Sequence, residues 1–174
     1  MRFIAQVRLP GPDVRLAYLF MDDPDFYDSH DRHEPKEKYA VVVQPDGAPL
    51  GVATVPLPQG PTLRGYRRDG SEGEPVELAV QIAPYDQPAL SGEALDDWAD
   101  GTEDDDADDE PPGIQLGGRP HWLQGAEPPG DDWPLLLQID SAGVVFGINC
   151  GDAGIAYAFL DSDYTRGVFF VQSC

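Results

Sequence analysis

Cysteine is scarce: Cys150 and Cys174 are the two in 174 residues, and neither belongs to a CxxC pair. Two thiols make no disulfide framework. Lysine is equally sparse, with Lys36 and Lys38 alone, and the GxGxxG, GxxxxGK[ST] and GxSxG patterns are all missing. The chain therefore has no motif for cradling a nucleotide phosphate or presenting a serine nucleophile, and no cofactor is expected. Long hydrophobic runs are absent as well. No stretch approaches the roughly 20 apolar residues of a membrane span. The apolar run from Phe3 to Val7 includes Gln6 and is too short for a signal peptide. The expected setting is cytoplasmic, with reduced thiols.

Basic residues are few and acidic ones many. Thirty-two Asp and Glu against 11 Lys and Arg give a formal charge of −21. Nucleic acid and anionic membranes would repel such a surface, because phosphate binding requires clustered Lys and Arg. A basic protein or a divalent cation would be attracted; high charge also serves solubility alone. The acids are concentrated from Asp96 to Glu110, where ten of fifteen residues are acidic, ending at Pro111-Pro112-Gly113. Asp104, Asp105, Asp106, Asp108 and Asp109 repel one another and have almost nothing to bury. Residues 100–112 are expected to form a solvated, disordered loop until a cation or basic partner neutralises them.

Against this background, one short motif occurs twice. Leu16-Ala17-Tyr18-Leu19-Phe20-Met21-Asp22 is matched 139 residues later by Ile155-Ala156-Tyr157-Ala158-Phe159-Leu160-Asp161. Each copy follows a second shared element, Phe3-Ile4-Ala5-Gln6-Val7 and Leu135-Leu136-Leu137-Gln138-Ile139. Gln6 precedes Tyr18 by 12 residues and Gln138 precedes Tyr157 by 19, so the second copy carries the longer connection. The pattern predicts one domain of two related halves, about 1–90 and 113–174.

The chain is expected to be mainly β, an antiparallel α+β fold with one or two short helices. Short apolar and β-branched runs punctuated by Gly and Pro predict strands at 2–8, 15–22, 39–44, 51–55, 76–82, 135–140, 144–149, 155–161 and 168–172. Five of them hold three apolar residues followed by Gln (Gln6, Gln44, Gln81, Gln138, Gln172). A Gln so placed satisfies loose backbone groups at a sheet margin. Helical spacing is confined to residues 91–99, where Ser91 suits a cap and Leu95, Trp98 and Ala99 share a face.

Candidate sites compete with plainer readings. His30 and His33, with Asp28 and its acidic neighbours, offer ligands for Zn, Mn or Ni, although His-x-x-His is a weak pattern and a polar loop explains the same residues. Asp104, Asp106 and Asp108 alternate as calcium ligands do, but Asp109 replaces the required Gly and no closing Glu follows. Cys150, in Asn149-Cys150-Gly151-Asp152-Ala153-Gly154, would need a nearby His to act as a nucleophile, and no spacing pairs it with His121. That stretch reads as a hairpin turn. Arg64, Arg67 and Arg68 form the one basic cluster, suited to internal pairing with the abundant acids.

Three elements occur together near the C-terminus: Gly117-Gly118-Arg119-Pro120-His121-Trp122-Leu123-Gln124, then Leu135-Leu136-Leu137-Gln138-Ile139-Asp140, then Gly151-Asp152-Ala153-Gly154-Ile155-Ala156-Tyr157-Ala158-Phe159. In this order they resemble the C-terminal signature of the YwqG-like bacterial proteins. The Phe3 and Leu16 strands resemble earlier elements of that family, and the Gly-Gly-x-Pro-x-Trp stretch is distantly similar to the programmed-cell-death-2 group. The resemblance touches both ends and skips the middle third. It implies a duplicated β-rich domain without assigned catalytic residues. Its eukaryotic relatives are associated with escorting a ribosomal protein, and some bacterial members with toxin-immunity neighbourhoods. This chain departs from longer members in lacking an upstream Gly-Gly-x-Pro segment and in its acidic insertion.

The function expected on these grounds is non-enzymatic protein binding, as an immunity or chaperone-like protein for a basic partner such as a ribosomal protein or a cationic toxin domain. Trp98 and Trp122, together with the acids at 104–106 and 108–109, are the candidate partner-binding residues. A metal-binding protein or metal-dependent enzyme using the His30/His33 loop and an acidic DNA mimic are the alternatives.

Overall fold

A computed structural model describes residues 1–12, 15–22, 38–44, 63–67, 71–76, 78–84, 86–87 and 113–174. The fold is mainly β and antiparallel, and the described residues contain no helix. The described residues form ten strands: β1 (Arg2–Arg8), β2 (Leu16–Met21), β3 (Tyr39–Gln44), β4 (Arg64–Tyr66), β5 (Glu72–Pro75), β6 (Ile114–Leu116), β7 (Leu135–Asp140), β8 (Phe146–Gly147), β9 (Ile155–Leu160) and β10 (Gly167–Gln172). They form three sheets, ordered β1-β2-β3, β10-β9-β7-β6 and β5-β4-β8.

The repeated motifs pair in the same register. In the first sheet Gln6 lies opposite Tyr18, which lies opposite Val42. In the second, Gln138 lies opposite Tyr157, which lies opposite Phe170. One row along, Leu16 faces Gln44 as Ile155 faces Gln172. Even the irregularity recurs, with a register shift between Phe3 and Ala5 in β1 and between Leu135 and Leu137 in β7. Each shift accommodates one extra residue, Ile4 or Leu136, as a β-bulge does.

The connections close alike too. The Leu9 amide donates to the Arg15 carbonyl and the Ser141 amide to that of Gly154; the Asp22 amide donates to Lys38 and that of Asp161 to Arg166. The longer second connection contains β8, which pairs with β4 to tie the third sheet in.

Alternation along the strands gives each unit a buried and an outward face. Leu19 and Met21 from β2 meet Leu137, Ile139, Ala156, Ala158 and Phe169 from the second sheet in one core, extended by Leu63, Phe146, Ile148 and Cys150, while Ala17 packs with Leu9 and Leu160. Each large apolar side chain so buried contributes about 1.5–3 kcal/mol. Strand β10 lies against β3, with Tyr39 edge-on to Phe169 at 5.6 Å between ring centroids. At Gly167 an added Cβ would run into the Val41 side chain, so only glycine permits this close approach.

Two predicted strands change. Residues 78–84 form no strand, and Leu78, Val80 and Ile82 are exposed. Their apolar alternation fits a half-buried strand, but no sheet among the described residues receives that face. The strand expected at 144–149 shrinks to Phe146–Gly147, because β8 has a partner only along two residues of β4. The predicted strand 51–55 and helix 91–99 lie outside the described residues.

Candidate functional site

The outward face of the second sheet carries a polypeptide strap. It begins at Gly117 and Gly118, whose φ values of 65° and 76° turn the chain out of β6. That left-handed region is costly for residues with a Cβ, and a Cβ at Gly118 would also strike the Gln87 side chain. The segment then crosses the strands as far as Glu127. Residues 119–127 belong to no strand, so its backbone polar groups need other partners.

Three side chains in a row across β7, β9 and β10 supply them. Gln138 Oε1 accepts the His121 amide at 2.9 Å. The Tyr157 hydroxyl donates to the His121 carbonyl at 2.7 Å and accepts the Leu123 amide at 2.9 Å. Gln172 Oε1 accepts the Gln124 amide at 3.1 Å while its Nε2 donates to the Gly125 carbonyl at 3.0 Å. Burial is the chief reason that the Tyr157 phenol is pushed up to about 12, which keeps its proton in place for the His121 carbonyl. Two further glutamines fix the strap's start. Gln115 Nε2 donates to the Gly117 and Arg119 carbonyls, and Gln87 binds the Arg119 amide and carbonyl together.

Trp122 is the apolar anchor of the strap. Its ring lies 5.0 Å from Tyr157, 5.9 Å from Phe159 and 6.4 Å from Phe170, nearly parallel to the last two. Leu123 and Trp133 complete the cluster over Leu135, Ile155, Tyr157 and Phe159. Trp122, expected at a partner surface, is half-buried inside this stack.

Other candidates are placed as follows. Trp98, His30, His33, Asp28 and the acids Asp104, Asp105, Asp106, Asp108 and Asp109 lie outside the described residues. Among the described residues no three His, Cys, Asp or Glu side chains converge on a point where a metal could sit. Cys150 is buried in the main core, and burial, with Asp140 adding to it, pushes its thiol up to about 12. It is thus held as the neutral thiol at physiological pH, poorly suited to nucleophilic attack. Cys174 is exposed. The Asn149–Gly154 stretch is a turn, in which the Gly151 amide donates to Asn149 Oδ1 and Gly151 and Ala153 take positive φ. In the basic cluster, Arg67 meets Glu74 at 3.9 Å and Arg64 donates to the Gly73 carbonyl, so both pair internally. An indentation beside Arg2, Ile4, Met21 and Leu63 spans about 180 Å³ even with open solvent counted, less than the roughly 300–1,000 Å³ of ligand pockets.

Gln115 and Gln87 were not foreseen as strap holders. Gln115 lies in a three-residue strand, too short to register as a pattern, and Gln87 follows a segment without regular structure. No family model matches the chain, and no curated protein or solved structure does either. Among the described residues no helix is long and apolar enough to cross a membrane.

Proposed function

We propose that this chain is a non-catalytic protein-interaction domain of the YwqG-like kind, which holds or neutralises a basic protein partner in the cytoplasm. One observation carries the reading: side chains of three adjacent strands grip an extended stretch of polypeptide through its backbone. A surface of this design handles chain segments, whereas turnover of a small molecule calls for a cleft with reactive groups. The formal charge of −21 gives the preference for a basic partner. The common register and the recurring bulge support descent of the two halves from one duplicated unit.

The acidic run acts at range. In this reading it draws a cationic ribosomal protein or toxin domain inward over a Debye length, about 8–10 Å at ordinary salt. Affinity capture at low salt should recover a basic protein, and deletion of residues 101–110 should slow its association several-fold at 20 mM salt while changing little at 500 mM. An association rate indifferent to both salt and deletion rules out the electrostatic part. Turnover of a small molecule that is lost on changing one side chain rules out the binding role.

A further inference from the structure

The first sheet repeats the clamp. Gln6, Tyr18 and Gln44 occupy the register positions of Gln138, Tyr157 and Gln172. Beside them Tyr18, Phe20 and Val42 stand where Tyr157, Phe159 and Phe170 cradle the Trp122 indole. Among the described residues no strap lies over this face. Phe3 is 39% and Val42 51% exposed, whereas their counterparts Leu135 and Phe170 are covered. The Tyr18 hydroxyl instead donates to Gln44 Oε1 at 2.9 Å, so two members of the row satisfy each other. Valine in place of Phe170 leaves the slot wider than its counterpart.

We propose that the Gln6–Tyr18–Gln44 face is a second, open clamp, and that it captures an extended segment of a partner protein. The segment would present backbone amides and carbonyls to the three polar side chains and an aromatic residue to the slot floored by Phe20 and Val42. The choice of occupant follows from the filled copy, where the equivalent residues hold the His121-Trp122-Leu123-Gln124-Gly125 stretch. Because all five of these hydrogen bonds in the filled copy go to backbone, recognition tolerates sequence variation except at the aromatic position. Capture exchanges the Tyr18–Gln44 bond for bonds to the incoming chain.

The inference deepens the binding role proposed above by stating the form in which the partner is held. Its test is run at 0.5 M salt, where steering by the acidic run is screened and cannot mask the result. The probe is a capped, fluorescein-labelled peptide of residues 117–125, titrated against the full chain and followed by fluorescence anisotropy. Saturable binding is expected, weakened at least tenfold by Gln6→Ala, by Gln44→Ala and by Val42→Lys. Gln6 and Val42 are exposed, so these variants fold, as an unchanged melting temperature will verify. A Trp→Ala peptide should also lose at least tenfold, and Val145→Lys, at an exposed site elsewhere, should leave binding unchanged. Absence of binding at millimolar protein overturns the proposal. So does binding that the three variants leave intact, since the peptide would then be displacing the resident strap. Binding seen only after deletion of residues 88–112 overturns it as well, by assigning the face to this chain's own segment.

Discussion

Tyr18 gives its hydroxyl to Gln44, whereas Tyr157, at the same register position of the other sheet, gives its hydroxyl to the His121 carbonyl and takes the Leu123 amide in return. The same side chain thus closes on its neighbour in one half and on a crossing polypeptide in the other. The difference predicts unequal costs. Tyr157→Phe removes two part-buried bonds from a fully buried side chain and should lower stability by about 1–3 kcal/mol; Tyr18→Phe removes one part-buried bond and should cost about 0.5–1.5 kcal/mol. Urea denaturation of both variants, with m-values unchanged, measures the order.

Gln138 is 1% exposed, and its Oε1 holds the His121 amide. Gln138→Leu keeps the volume but releases that amide. Hydrogen exchange at His121 and Leu123 should quicken on the order of tenfold, while amides in β9 keep their protection. Equal exchange in both proteins would mean that the strap's remaining contacts hold it without Gln138.

The two thiols should behave oppositely. At pH 7.5 iodoacetamide should label exposed Cys174 and spare Cys150, which is buried and held protonated. In urea both should react. Peptide mass spectrometry of the alkylated protein reads this directly.

Alkaline pH should weaken the fold. The Cys150 thiol, ordinarily at 9.0, and the Tyr157 phenol, ordinarily at 10.0, are both raised to about 12 in the folded chain. Above pH 9 the unfolded state therefore releases these protons more readily than the native state. Stability is fully present below pH 9 and falls as pH rises towards 12. Cys150→Ala removes part of this slope, which melting curves collected from pH 8 to 11 will show.

Asp161 has the opposite sign. Burial opposes its charge, but hydrogen bonds from the Thr165 and Arg166 amides and from both their side chains outweigh it and hold the carboxyl below its ordinary 3.8. Its stabilising effect is present above that value and fades as pH falls below it. Asp161→Asn should melt below the wild type at pH 6, with the gap closing below pH 4.

Much of the fold was legible because six strands are short apolar, β-branched or aromatic runs bounded by turn residues. The limits of β1, β3 and β7 coincide with the predicted ones, and β2, β9 and β10 differ by a residue at one or both ends. Strands β4, β5 and β6 were missed because three or four residues, in β5 largely polar, hold too little apolar pattern. Leu78, Val80 and Ile82 misled for the converse reason: the pattern describes a face, and pairing depends on a neighbour that local sequence does not specify. The glutamines were legible as backbone-satisfying groups. What they satisfy was not, because the strap lies 17 residues from Gln138 and 48 from Gln172 along the chain.

The two hairpin pairs differ in length only between their ladders. Gln6 to Tyr18 takes 12 residues and Gln138 to Tyr157 takes 19, yet paired positions and bulge coincide. The junction closed by Leu9 and Arg15 is therefore the natural splice point for foreign sequence, since its twin already houses an extra strand without disturbing the barrier between interior and solvent. A fluorescent reporter grafted there would ride beside the Gln6 row and register anything that settles on it.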